Sequence, residues 1–236
     1  CSLSLQTYGA SANRGACYQL CRRGYEVTDL ETGTKLNIDN KYIMSPKDLC
    51  TIEFMDKIID AGVKVFKIEG RARSAEYVKK TAECYRRAAD AVCEGRYTPE
   101  LAASLKEELS EVFNRGFWDG YYQGAKLGEW SDVYGSHATR KKIYCGKITN
   151  WFDRISVAEV LVESEALRKG DDILIIGETT GVIEQNVSEI RVDLKPTDEA
   201  GKGTLCSIPI IFPDDIRTPG GKKIRRGDKV YIWREV

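Results

Sequence analysis

Residues 167–177 read LRKGDDILIIG, and residues 224–233 read IRRGDKVYIW. Two near-identical turns thus each lead into a strand-sized apolar run, and the pair predicts hairpin entries into a small closed β-barrel. The neighbouring sequence has the same texture. From about Arg140 onward come KIYCGKITNWF, ISVAEVLV, TTGVIEQNVSEI and GTLCSIPII, short alternating segments separated by turn residues, in which no helical period survives beyond a turn or so. An all-β domain is therefore placed at residues 138–236, with its boundary somewhere in 126–140.

The chain ahead of that boundary has a different period. Residues 1–41 are rich in Gly, Asn, Arg and Thr and read mostly as loop, with a strand or hairpin around GYEVTDLETGTKLNI. Ser45 as N-cap, Pro46 at the first helical position and Gly62 as stop predict a helix with Leu49, Ile52, Met55 and Ile59 on its apolar face. VKVFKIEG, ending in Glu69-Gly70-Arg71, reads as a strand. A second helix follows Ser74, with Val78, Ala82, Tyr85, Ala89 and Val92 at helical spacing. A third begins at Thr98-Pro99-Glu100 and aligns Leu101, Leu105, Leu109 and Val112 before NRGF stops it. Helix, strand, helix is an α/β unit with a parallel sheet. Residues 1–130 are expected to be the last turns of a larger barrel or sheet, because the first residue is Cys1 rather than Met and no signal-peptide pattern follows it.

The 236 residues suffice for two modest domains, and 36 basic side chains cancel 36 acidic ones, so any anion binding must come from local patches. Apolar runs are strand-sized, far short of the roughly 20 residues of a membrane span. Of eight cysteines, Cys1, Cys17, Cys21 and Cys50 crowd the first fifth of the chain. A disulfide scaffold is usually shorter and denser in cysteine, so a reduced, cytoplasmic compartment with metal or redox chemistry is the expectation. Four thiolates suit an iron–sulfur cube, whereas a structural zinc site usually has two close pairs and this chain offers one. Nine residues of helix set Cys84 and Cys93 on opposite sides, and Cys145 and Cys206 fall in predicted strands, so all four read as packing residues.

Charged residues supply the other candidates. Lys67, Glu69 and Arg71 stand at the end of a predicted strand, where α/β folds bind ligands, although an ion pair among them is the simpler alternative. Arg14, Arg22 and Arg23 surround Cys17 and Cys21 and suit a carboxylate, a phosphate or a negatively charged cluster. His137 is the single histidine and lies in the linker, and HExxH is absent, so hydrolytic machinery is sparse. The run GFWDGYYQG can stack bases but more often packs a domain interface.

ANRGACYQLCRR, YIMSPKDLC, KIEGRARSAEYV, YRRAAD and NRGFWDGYY together resemble the collagenase-like peptidases of peptidase family U32, over essentially the whole chain. The resemblance implies an incomplete or irregular TIM-type barrel followed by a C-terminal β-barrel similar to translation-factor domains, with Cys1 inside an SG-x-C motif. It implies either collagen-degrading activity or oxygen-independent hydroxylation, of tRNA wobble uridine with prephenate as donor, of ribosomal RNA cytidine, or of ubiquinone precursors. For the hydroxylases it implies a 4Fe–4S cluster on four cysteines. Cys1, Cys17 and Cys50 match ligands, Cys21 is an alternative, and a further ligand is expected upstream. Within this resemblance Arg14 and Arg71 are expected to hold a carboxylate or phosphate, and the β-barrel to engage RNA. A non-catalytic RNA- or protein-binding module is the third reading.

Overall fold

The computed structural model describes residues 2–38, 46–70, 73–125, 128–131, 135–212 and 224–236. The chain divides into two compact units, Cys1–Ala138 and Thr139–Val236. No helix among the described residues is long and apolar enough to cross a membrane.

In the second unit the duplicated turns fold alike. Within Arg168–Asp171 the Asp171 N–H donates to the Arg168 carbonyl at 3.1 Å, and the Asp171 carboxylate accepts from the Arg168 N–H at 2.8 Å. Within Arg225–Asp228 the same two bonds recur at 3.1 and 2.8 Å. Gly170 and Gly227 hold φ of 90° and 93°, the left-handed third position of a type II turn that only glycine takes cheaply. Each turn also exchanges two bonds with one buried aliphatic residue: Gly170 and Asp171 with Val187, and Gly227 and Asp228 with Ile148, all at 2.8 Å.

The strands that carry these turns are β5 (Arg140–Phe152), β6 (Val157–Val162), β7 (Leu167–Arg168), β8 (Asp172–Gly177), β9 (Gly181–Asn186), β10 (Ile190–Val192), β11 (Lys195–Thr197), β12 (Glu199–Ala200), β13 (Leu205–Pro209) and β14 (Lys229–Glu235). Eight form one antiparallel sheet in the order β11-β10-β13-β6-β5-β14-β8-β9, while β7 pairs with β12. The two strands that leave the duplicated turns, β8 and β14, lie side by side, with Ile175 opposite Val230. Alternate residues point inward: Ala158, Val160 and Val162 from β6, Ile173 and Ile175 from β8, Cys206 and Ile208 from β13, and Val230 and Ile232 from β14 share one core. The sheet curls until β9 meets the far end of β13. There the Gln185 side chain donates to the Pro209 carbonyl at 2.8 Å and accepts from the Ile211 N–H at 2.9 Å, taking the place of a backbone rung.

The first unit holds α1 (Ser2–Tyr8), short 3-10 turns at Ala12–Arg14 and Leu20–Arg22, and an antiparallel hairpin of β1 (Tyr25–Thr28) and β2 (Lys35–Ile38). After these come β3 (Asp48–Leu49), a 3-10 turn at Ile52–Phe54, α2 (Met55–Asp60), α3 (Ala75–Cys93), α4 (Pro99–Ser110) and β4 (Phe117–Trp118). Thr98 caps α4 by accepting from the Leu101 N–H at 3.2 Å, with Pro99 in its first turn, and Leu105 and Leu109 face the core as their spacing requires. In α3 the buried line is Thr81, Cys84, Ala88 and Ala91. That line is one residue off the face expected from Val78 and Ala82, because small residues let α4 approach. Cys50, Ile52, Met55, Cys84, Ala88, Leu105 and Leu109 make one cluster. Each large aliphatic side chain buried there is worth about 1.5–3 kcal/mol.

Two expectations are corrected. The helix forms only from Met55, since Asp48 is drawn into parallel pairing with Phe117 and its carboxylate accepts from Arg73 and Arg115. Ser45 lies outside the described residues. VKVFKIEG, residues 63–70, is not a paired strand: Val65 is 84% exposed, and parallel pairing among the described residues is confined to β3 with β4. A run of β-formers becomes a strand only when a partner edge is present. The TIM-type arrangement is therefore not seen among the described residues.

Candidate functional site

The arginine-rich loop owes its form to its two 3-10 turns. Gly15, at φ 75°, closes the first, and Gln19 enters the second in the left-handed region at φ 51°. This twist aims the Gln19 N–H at the Cys17 Sγ, 3.3 Å away. Cys17 and Cys21 are both half-buried free thiols. The loop is tied to α1 by the Tyr18 N–H, which donates to the Ser4 hydroxyl at 3.0 Å, and by Arg23, which donates to the Tyr8 hydroxyl at 3.1 Å and lies over its ring. The Tyr8 and Tyr18 rings meet with centroids 5.3 Å apart and planes tilted by 59°, and both are exposed. Arg14 is exposed on the same loop.

Cys50 is in another setting. It is 6% exposed, and the Tyr85 hydroxyl donates to its sulfur at 3.9 Å. Burial pushes the Cys50 thiol up, partly offset by the Ile52 N–H and Tyr85. A cavity of about 30 Å³ beside it is lined by Asp48, Tyr77, Thr81 and Phe117 among others, with room for one water. The Thr81 hydroxyl is buried there with no partner among the described residues. Tyr85 also accepts from the Thr51 N–H at 2.9 Å, so β3, the turn after it and α3 are joined at the thiol.

Among the described residues no three Cys, His, Asp or Glu side chains converge on one point. Among the described residues no four-thiolate site is therefore assembled. Cys1 and Arg71 lie outside the described residues, as does the Arg22 side chain. Lys67 and Glu69 are exposed on the 63–70 stretch, which forms no strand and so does not place them at a strand end. Cys84, Cys145 and Cys206 are buried as expected, whereas Cys93 is exposed at the end of α3. His137 is exposed, and its N–H donates to the Asn114 carbonyl at 2.9 Å.

Two features were not foreseeable from local sequence. Asp48 accepts from Arg73 at 2.8 Å and from the Arg115 N–H at 3.1 Å, and the Arg73 guanidinium is sandwiched at 4.9 Å from the Tyr77 ring and 4.6 Å from the Phe113 ring. The other is a groove of about 670 Å³ in the second unit, lined by Thr149, Asn150, Trp151, Glu159, Ile224, Arg225 and Arg226. It sits at a β-bulge, where the pairing of β5 with β6 shifts register between Ile148 and Asn150. A bulge turns side chains out of their regular alternation.

The model of the family described as Peptidase family U32 matches residues 1–132. This chain belongs to peptidase family U32. Over 231 residues it is 53% identical to a collagenase of Porphyromonas gingivalis, an alignment that covers 98% of this chain and 53% of the relative. It is 35% identical to an uncharacterized protease of Methanocaldococcus jannaschii, over 100% of this chain and 56% of the relative. The tRNA hydroxylation protein P1 of Bacillus subtilis is 30% identical over 75% of this chain and 43% of its own length. The chain spans about half the length of the curated relatives it matches. A crystal structure of the C-terminal domain of a U32 peptidase from Geobacillus thermoleovorans aligns with 37% of this chain and 88% of its own at 13% identity, with a TM-score of 0.31. U32 relatives therefore carry names of two kinds, proteases and RNA-hydroxylation proteins.

Proposed function

We propose that the chain is part of an enzyme that hydroxylates RNA, with tRNA wobble uridine as substrate, prephenate as hydroxyl donor and the cytoplasm, where tRNA resides, as its setting. The observation that carries this reading is the presentation of Cys17: a half-buried thiol in an arginine-rich loop, its sulfur already accepting a backbone N–H. Hydrogen bonds to sulfur and nearby positive charge are what a thiolate ligand needs. A 4Fe–4S cluster in the longer protein belongs to the proposal, with Cys17 and Cys21 as donors from this loop; the described residues do not by themselves assemble its ligand set. Arg14 and Arg23 supply the positive field, and the exposed Tyr18 ring offers an aromatic face to a base or ring. The match to the tRNA hydroxylation protein covers 75% of the chain and so runs past the first unit, which also supports the reading.

A peptidase acting on collagen-like substrates is the second reading, favoured by the 53% identity to the P. gingivalis collagenase. Hydrolysis needs a nucleophile activated by a neighbouring base. Burial raises the thiols of Cys50, Cys84, Cys145 and Cys206, which keeps them protonated and non-nucleophilic at neutral pH. The two readings are separated by mass spectrometry of tRNA nucleosides from a strain lacking the gene, complemented with wild-type or Cys17→Ala full-length protein. Loss of wobble hydroxylation that only the wild type restores is the expected result. Unchanged hydroxylation in the deletion strain, together with collagen cleavage by the purified protein, would transfer the assignment to the peptidase.

A further inference from the structure

The duplicated turns are alike in backbone but not in charge. In the first, Arg168 is neutralised by Glu199 at 3.0 Å. In the second, the Arg225 Nε donates to the Thr179 hydroxyl at 2.9 Å and meets no carboxylate among the described residues. The acid of that second turn makes no ion pair with the Arg225 guanidinium either. Asp228 is buried, and its carboxylate is occupied by the Thr180 hydroxyl and the Arg225 N–H. Arg225 and Arg226 are exposed and border the groove, so this turn sets two guanidinium groups beside an open space in a chain whose net charge is zero.

The opposite side of the groove is aromatic and polar. Trp151 packs edge-on against Phe212, with ring centroids 5.6 Å apart and planes at 88°, and its indole N–H donates to Asp153 at 3.2 Å. These contacts fix the ring without enclosing it. Thr149 donates to the Glu159 carboxylate at 2.6 Å, and Asn150 is exposed next to Trp151, so a hydrogen-bond acceptor and an amide flank the ring. We propose that this groove binds single-stranded RNA, seating a base on Trp151 and the adjoining phosphates on Arg225 and Arg226. A fixed aromatic ring stacks any base, guanidinium forks match phosphate oxygens, and single-stranded bases expose edges that Asn150 and Glu159 can bond. The space is of small-ligand size, within the roughly 300–1,000 Å³ typical of such sites, and suits a splayed nucleotide rather than a duplex.

The first turn supplies a matched control, because Lys169 occupies the position equivalent to Arg226 and is equally exposed, but does not border the groove. The experiment measures fluorescence anisotropy of a labelled, unstructured RNA 12-mer with the 236-residue chain and with Arg226→Glu, Lys169→Glu and Trp151→Leu, across a salt series. A collagen-like triple-helical peptide serves as competitor. Arg226→Glu is expected to weaken binding about tenfold or more at low salt and to reduce the slope of log Kd against log salt by about 0.7 or more. Trp151→Leu is expected to weaken it about 5- to 150-fold with the slope unchanged. Lys169→Glu should leave both within about twofold. Equal losses from Arg226→Glu and Lys169→Glu would mean diffuse charge attraction and would overturn the proposal. So would RNA binding indifferent to Arg226→Glu, an exposed position where folding is not at stake, or a peptide that is bound more tightly with the same sensitivity to these variants. If RNA binding responds as expected while tRNA from the deletion strain keeps its wobble hydroxylation, the groove stands and the hydroxylation reading alone falls.

Discussion

Gly177→Ala should unfold the second unit at markedly lower temperature, for a reason that lies in the opposite turn. A Cβ at Gly177 would stand 2.5 Å from Cγ and 2.9 Å from Oδ2 of Asp228, and nearer still to Oδ1. The backbone at Gly177 is not in the left-handed region, so the conflict is one of space. Asp228 is 7% exposed and holds two bonds, from the Thr180 hydroxyl at 2.5 Å and from the Arg225 N–H at 2.8 Å. Displacing the carboxylate forfeits both, at about 1.5–3 kcal/mol for each hydrogen bond to a charged group, or about 3–6 kcal/mol together. For a unit of this size each kcal/mol moves Tm by roughly 4–8 °C, so the fall should exceed about 12 °C. Asp228→Ala alone loses the same bonds. The double variant should cost little more than Asp228→Ala, because the new methyl group enters the space the carboxylate has left. Calorimetry of the wild type, both single variants and the double variant gives the coupling. Additivity to within about 0.5 kcal/mol would refute the argument that the two positions share one volume.

Other expectations can be checked on the same protein. Iodoacetamide at neutral pH should label Cys17, Cys21 and Cys93 in the native chain well before Cys50, Cys84, Cys145 or Cys206, as read by peptide mass spectrometry; prompt labelling of Cys50 would contradict its enclosure by Tyr85. Burial raises Cys84 and Cys145 to about 12 and Cys206 to about 11 from an ordinary 9.0. Below pH 9 both states keep these protons and the stability is complete. Between about pH 9 and 12 the unfolded chain releases them first, so urea midpoints should fall with rising pH, and more shallowly in a Cys145→Ala/Cys206→Ala variant. Thr98→Ala should cost about 1 kcal/mol through the lost cap of α4, measurable as a lower urea midpoint of the first unit. Asp48→Ala, which strips the mostly buried Arg73 of its carboxylate, should cost about 3 kcal/mol, whereas Asp48→Asn, keeping an acceptor, should cost less.

The elements that were legible in the sequence are those whose cause is local. The Gly-Asp turns, the Thr98-Pro99 start of α4 and the hairpin around Asp29 each follow from a few adjacent residues whose chemistry permits one conformation. Where a distant partner decides, the reading failed. Asp48 sits in a plausible helix start, but pairing with Phe117 and the pull of Arg73 and Arg115 hold it extended. Residues 63–70 have the composition of a strand and pair with no edge among the described residues. The cysteines were recognisable as a crowd but not as two environments, since only the packing of α3 against β3 separates Cys50 from Cys17. The groove was invisible for a similar reason: Trp151 and Arg225 are far apart in sequence, and what sets Arg168 apart from Arg225 among the described residues is Glu199, a carboxylate that folding brings to the first turn from 31 residues away.

The Gln185 side chain is the rung that joins β9 to the end of β13, and among the described residues the two strands share no backbone pairing. A seam secured by one amide can part without unravelling either strand, so local opening should begin there, and amide exchange at Ile211 should outpace exchange along β5 and β14. The same residue guards the fold against self-association. With Gln185 in place, the carbonyl of Pro209 and the N–H of Ile211 are satisfied within the chain; with Leu in its place they become an unpaired edge, the kind of surface that recruits strands from other molecules.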